Sequence, residues 1–343
     1  MAEQPQVPAN VPLPSLTLTG PSDLLAAVPY LLGFHPRDSL VLVGIARQGS
    51  RQTICCSARC DLPTVAAEAP ATAAIVTQPI HAANAAFVVL VGYGPAHRVT
   101  PCVDAVQQAV AARGVELREA LRFTEGRYWS YTCTGTCCPA TGMPFDPQNS
   151  LIPTQMVAAG FVAYADRSQL DSVLDPVTGP RRAAMSEATH RLEGEPPEEE
   201  HLRTAGTESV RAAAAAADHG ALPQDPAELA WLCLAVRDTR VRDEAWLRIR
   251  PENAEAQLHL WQWILRNAEP RYRVAPGALA AFAAWQSGRG ALANLALDRV
   301  LGADPNYPMA LLLRRALQCG LPPQRWATVV PEQCPGGTPF GAE

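Results

Sequence analysis

The 343-residue sequence contains no lysine, so all 28 of its residues counted as Lys or Arg are arginines. That absence removes whole mechanisms. A phosphate loop of the GxxxxGK[ST] type and the protein-kinase lysine are excluded. So are pyridoxal Schiff-base chemistry, lysine aldolases and Ser–Lys dyads, because each needs the amine itself. Arginine stays protonated and cannot replace it as nucleophile or base. Excess positive charge is missing as well. A net charge of −5 and a pI near 5.8 give no electrostatic footprint for wrapping nucleic acid. No apolar run approaches the ~20 residues that a membrane helix needs. Residues 1–15, MAEQPQVPANVPLPS, are polar and Pro-rich without the basic and apolar regions of a signal peptide. They are expected to form a disordered leader, and the protein is expected in the cytoplasm, where its ten cysteines stay mostly reduced. The sequence also lacks GxSxG, HExxH, an EF-hand loop and a paired CxxC, which weakens the well-known hydrolase and zinc-protease readings.

What is present is apolar. A hydrophobic fraction of 48% against 18% charged residues supplies packed cores, and the length favours two domains. Leu24, Leu25, Val28, Leu31 and Leu32 form one helical stripe behind Ser22, the expected N-cap, and Gly33 ends that helix. Ser39–Ile45 and Ala86–Val91 read as buried strands. Thr53–Asp61 pairs with the first of them, its alternation placing Ile54, Cys56, Ala58 and Cys60 on one face and Cys55 on the other. A helix follows within residues 63–83 and another between Gly94 and Gly114. A half-buried strand then has Val115, Leu117, Leu121 and Phe123 on one face, and Thr124-Glu125-Gly126 turns it into an aromatic strand. The expected fold is a mixed-sheet α/β sandwich over 16–175, followed by an all-α helical C-terminal region. Residues 176–205, with the acidic run Glu193–Glu200, read as a solvated linker. Residues 206–320 read as a helical domain and 321–343 as a tail. Its tryptophans are expected in helix–helix packing. Within it, residues 281–305 are similar to one degenerate tetratricopeptide-like helix pair, most simply an αα-hairpin.

Chemistry-bearing residues concentrate in three places. The turn GFHPRDS offers His35, Arg37, Asp38 and Ser39 within five positions, enough for anion recognition or acid–base work, or for a turn that Asp38 or Ser39 caps. The strand face Arg127, Trp129, Tyr131 suits a guanidinium stacked among aromatics, in a cleft or on a stabilised edge. It leads to Cys133, Cys137 and Cys138, three soft ligands within six residues. There zinc is the cofactor to test for, with His35 completing a tetrahedron. A reactive thiol and ordinary buried cysteines are the other readings. A fourth segment, Gly92-Tyr93-Gly94, sits between strand and helix like a dinucleotide loop but lacks its third glycine.

Three blocks carry a family resemblance: PSDLLAAVPYLLGFHPRDSLVLVG, RYWSYTCTGTCCP and AAWQSGRGALANLALDRVLGADPNY. Together they resemble an actinobacterial family known as domain of unknown function number 4192. The resemblance implies a soluble protein with this order of blocks and carries no activity, cofactor or catalytic residue. The leading expectation is therefore a non-catalytic binding or accessory protein, with a protein partner for the helical tail. A Cys-dependent enzyme or metalloprotein using Cys133, Cys137 or Cys138 is the rival. A nucleotide-binding enzyme using the Gly92–Gly94 loop is a third.

Overall fold

The computed structural model describes residues 18–49, 51–133, 135 and 138–323. The expected leader and nearly all of the 321–343 tail lie outside the described residues. The chain divides into two compact units. One runs to Arg167 and includes Ala316–Pro322; the other runs from Ser168 to Arg315.

The first unit contains α1 (Pro21–Leu32), β1 (Ser39–Gln48), β2 (Arg51–Asp61), α2 (Ala69–Ala83), β3 (Phe87–Tyr93), α3 (Ala96–Ala111), β4 (Glu116–Thr124), β5 (Arg127–Ser130), β6 (Met143–Pro144) and α4 (Ile152–Ala158). The strands form one mixed sheet in the order β2-β1-β3-β4-β5-β6. Only β3 and β4 are parallel, joined across α3; the other neighbouring pairs are antiparallel. β3 lies inside the sheet and all seven of its residues are buried, which explains its unbroken apolar run. The β4–β5 hairpin turns on Glu125 (φ 50°) and Gly126 (φ 71°). Two successive left-handed residues match the right-handed twist of the flanking strands.

Alternation gives the sheet two faces. On one, Leu40, Leu42, Val88 and Leu90 pack with Val76 and Ile80 of α2 and with Val99, Val103 and Val106 of α3. Val41, Val43, Val91 and Tyr93 point to the other face, on the side of α1. Two expected alternations break at bulges. In β4, Arg118 is the extra residue, since Val88 pairs with Leu117 and Val89 with Glu119. Leu117 therefore packs on the α2–α3 face while Leu121 and Phe123 serve the other. In β2, Gly44 pairs with Cys56 and Ile45 with Ile54, leaving Cys55 as the extra residue. A bulged pair opposes one partner residue, so Cys55 does not turn away from Cys56 as regular alternation predicts. The N-cap also differs. The first helical residue is Pro21, and Ser22 lies inside α1. Proline suits that start because its missing N–H is one the first turn could not satisfy.

The second unit contains α6 (Gly179–Gly194), α7 (Glu199–Asp218), α8 (Pro226–Ala235), α9 (Thr239–Arg248), α10 (Ala254–Asn267), α11 (Val274–Gln286) and α12 (Gly290–Ala303), together with most of α5 (Arg167–Ser172) and of α13 (Pro308–Gln318), whose outer ends fall in the first unit. The stretch 176–205, expected as a linker, is mostly helix. Its acidic run supplies the N-cap Glu198 and the first-turn Glu199 and Glu200 of α7, where negative charge meets the positive end of the helix dipole. Helix α11 is buried over Ala275–Gln286. Phe282 meets Trp246 and Trp285 edge-on, at centroid distances of 5.5 and 5.8 Å. The α11–α12 hairpin turns at Gly288 (φ 78°). A Cβ on Gly277 would lie 2.6 Å from Val300, so glycine sets how closely these two helices approach.

Candidate functional site

The first unit holds a cleft of about 840 Å³ on the α1 side of its sheet. Its floor is an aromatic ladder. Tyr93, the last residue of β3, pairs in register with Phe123 of β4, and their rings meet edge to face at 5.7 Å. Phe123 meets Phe145 the same way at 5.5 Å. One wall is α1, through Leu25, Ala26, Pro29 and Tyr30, and the opposite wall is the segment that includes Gln148, Pro153 and Thr154. The mouth carries His35 and Arg37. This position, beyond the carboxyl ends of two parallel strands, is where open α/β sheets place ligands. Size and apolar lining with a few polar groups fit a small-molecule site.

One polar atom beneath the cleft floor is unsatisfied. The Tyr93 hydroxyl is buried and has no hydrogen-bond partner, and the residue as a whole is 7% exposed. Burial pushes its phenol pKa upward, so it stays a neutral O–H. At the mouth, partial burial, and then the nearby Arg37 charge, pull the His35 pKa down. A neutral imidazole and a guanidinium therefore stand together there at neutral pH.

The GFHPRDS turn splits between two tasks. The His35 backbone N–H donates to the Tyr164 carbonyl at 2.9 Å, and the Tyr164 N–H donates to Gly33 at 2.8 Å. These bonds hold His35 and Arg37 at the cleft. Asp38 and Ser39 instead fasten the turn to its surroundings. Asp38 accepts from Arg98 Nη1 at 2.5 Å, and Arg98 also donates to the carbonyls of Leu62 and Pro63 at 2.8 and 3.1 Å. The Ser39 hydroxyl is fully buried, donates to the Arg37 carbonyl at 2.5 Å and accepts from Arg59 Nη2 at 2.6 Å.

Arg127, Trp129 and Tyr131 do not join this cleft, because they alternate onto the α2–α3 face. Trp129 Nε1–H donates to the Ala140 carbonyl at 2.9 Å, and Arg127 donates to the Gly142 carbonyl at 2.7 Å. The stacked guanidinium belongs to Arg122, 3.6 Å over the Trp129 ring. The Tyr131 hydroxyl hydrogen-bonds with Thr100 of α3 at 2.8 Å. Trp129 and Arg127 clamp the return segment 139–144 to the sheet, while Tyr131 ties it to α3.

The Cys133 N–H donates to the Ser130 hydroxyl at 3.0 Å, and Cys133 and Cys138 are both half-buried. Cys137 lies outside the described residues. Among the described residues no group of three or more His, Cys, Asp or Glu side chains is placed to hold a metal ion. In the Gly92–Gly94 segment, an added Cβ on Gly92 would strike Val99 and one on Gly94 would lie 2.8 Å from Leu62. Gly92 lets α3 pack closely on the sheet, and Gly94 makes room for Leu62. The residue between them, Tyr93, is the one that reaches the cleft. Sequence reasoning passed over Tyr93, Phe123 and Phe145. The available signal was an aromatic residue ending an apolar strand just before a βα turn.

Among the described residues no helix is long and apolar enough to cross a membrane. No curated protein and no solved structure matches the chain. A family described as a domain of unknown function, DUF4192, matches residues 21–324, from the first helix of the cleft through α13, and the chain belongs to that family.

Proposed function

We propose that the α/β unit is a non-catalytic binding module for a small, flat, largely apolar molecule with an acidic end. An aromatic cleft with the unpartnered Tyr93 hydroxyl buried beneath its floor carries this reading. A buried O–H without a partner costs about 1–3 kcal/mol, a loss that a ligand acceptor would recover on shifting the side chains that cover it. The edge-to-face ladder of Tyr93, Phe123 and Phe145 suits a planar ring system. Arg37 at the mouth suits a carboxylate. The Ser150 hydroxyl donates to Asp23 at 2.8 Å and helps hold the wall. In the cytoplasm such a module would act as a sensor or carrier of an aromatic acid.

The test is titration of the full chain with naphthoate, followed by calorimetry and by NMR of the Tyr and Phe side chains. Saturable binding is expected. Tyr93→Phe should weaken it roughly 3–10-fold and Arg37→Ala about 10–100-fold, the range for a neutral and a charge-assisted hydrogen bond. Binding indifferent to both substitutions, or none at millimolar naphthoate, would sink the reading.

A further inference from the structure

The bulge in β2 brings two thiols together that a regular strand would separate. With Cys55 and Cys56 opposed to the single residue Gly44, both sulfurs gather over the same glycine. From the point where a Gly44 Cβ would sit, Cys56 Sγ is 2.5 Å away and Cys55 Sγ is 3.4 Å away. Any side chain on residue 44 would displace them. The Cys56 thiol hydrogen-bonds to Cys55, which lowers the Cys55 pKa and keeps the proton on Cys56, and burial adds to the rise at Cys56. Both residues are half-buried on an edge strand, within reach of solutes. The two other cysteines nearby behave differently. Cys60 and Cys102 pack in the α2–α3 core, and burial pushes the Cys60 thiol up to about 12.

We propose that Cys55 and Cys56 form a two-thiolate site for one soft, thiophilic ion of the copper(I) class. Geometry favours an inserted ion over a disulfide. A disulfide needs Cα atoms about 4.4–6.8 Å apart and sulfurs at about 2.05 Å, whereas sequence neighbours are fixed at about 3.8 Å. An ion with metal–sulfur bonds of about 2.3 Å fits between two sulfurs already in hydrogen-bond contact. Coordination number then selects the ion. Zinc takes four ligands, and no third His, Cys, Asp or Glu joins this pair among the described residues. Thiolate pairs suit copper(I), which is soft. On binding, each thiol releases its proton to solvent and two Cu–S bonds form, with no electron transferred. The site lies on the α2–α3 face and does not depend on the aromatic cleft.

Two probes test it on the reduced full chain under anaerobic conditions. The first is phenylarsine oxide, a trivalent arsenical. It forms two As–S bonds with a thiol pair while its oxygen leaves as water with the two thiol protons. Trypsin then releases Gln52–Arg59, whose only cysteines are Cys55 and Cys56. One arsenic should protect both from alkylation, and Cys55→Ser or Cys56→Ser should each abolish that protection. The second probe is copper(I), titrated against bicinchoninate. Each single variant should lower the affinity of one copper equivalent by about 10²–10⁴-fold, as expected when a second tethered ligand is lost. Gly44→Ala keeps both thiols yet should also weaken both probes. Thermal melting of each variant checks that it is folded. Alkylation of either cysteine at saturating arsenical, or copper affinity unchanged in the folded serine variants, overturns the assignment. Arsenic bridging without copper binding overturns the choice of ion.

Discussion

Tyr93 and Phe123 are register partners at the carboxyl ends of the only parallel pair among the described strands, and their rings meet edge to face at 5.7 Å. That contact fixes the Tyr93 ring and leaves its hydroxyl buried without a partner. Tyr93→Phe keeps the ring and removes the unsatisfied group. The free protein should gain about 1 kcal/mol in stability, read as a higher midpoint in urea with an unchanged slope. A loss of stability would mean that the hydroxyl is satisfied in solution. The same substitution should weaken ligand binding, so stability and function move in opposite directions, as expected at a binding site.

Arg98 ties three segments together through Asp38 and the carbonyls of Leu62 and Pro63. Asp38 is itself held at φ 43°, a conformation that a non-glycine residue adopts only when its surroundings enforce it. The ion pair alone is worth little, because the Asp38 side chain is 66% exposed. Arg98→Ala also strips the donor from two carbonyls, and should cost about 1–3 kcal/mol. Asp38→Asn, which keeps an acceptor in place, should cost about 1 kcal/mol or less. Equal losses in the two variants, measured by urea denaturation, would show that charge and not carbonyl capping dominates.

Much of this architecture is written in local pattern. The apolar run of β3, the stripe of α1 and the Glu125-Gly126 turn each follow from residue order, and the mixed sheet with helices after it follows from their sequence. Register is less visible. One extra residue moves every following side chain to the other face, and neither Cys55 nor Arg118 carries a chemical mark of a bulge. The acidic run before α7 looks like a solvated linker because charge favours both a helix N-terminus and open solvent. The cleft was half legible. His35 and Arg37 stood out by their polarity, whereas Tyr93, Phe123 and Phe145 looked like core and converge only through strand pairing.

Gly142 is a sharp test of the clamp on the α2–α3 face. Its φ of 77° lies in the left-handed region, and an added Cβ would lie 2.5 Å from Trp129 Cε2. Gly142→Ala must strain the backbone and push the indole away from Arg122 and from the Ala140 carbonyl. A cost of about 1–3 kcal/mol is expected from the backbone alone, together with a changed tryptophan emission. Naphthoate binding in the folded fraction should persist, because Trp129 lies on the sheet face away from the cleft. Loss of binding at full folding would show that the two faces are coupled.

Asp23 links the wall of the cleft to pH. Its carboxylate accepts from Thr19 Oγ1 at 2.6 Å, from the Thr19 N–H at 2.9 Å and from Ser150 at 2.8 Å. The Thr19 side-chain bond, then the Thr19 backbone bond and the Ser150 bond, lower its pKa below 3.8. A carboxylate whose pKa is lower in the folded state stabilises the fold above its unfolded value and loses that contribution as pH falls through the folded value. The window therefore opens just above pH 3.8 and extends downward. Asp23→Asn should leave stability below that window nearly unchanged and lower it at neutral pH, so the two stability curves converge on acidification. Urea midpoints measured from neutral pH down to about pH 3 give both curves. A constant gap between them across the window would mean that Asp23 titrates alike in the folded and unfolded chain, and that its three hydrogen bonds do not favour the charged form.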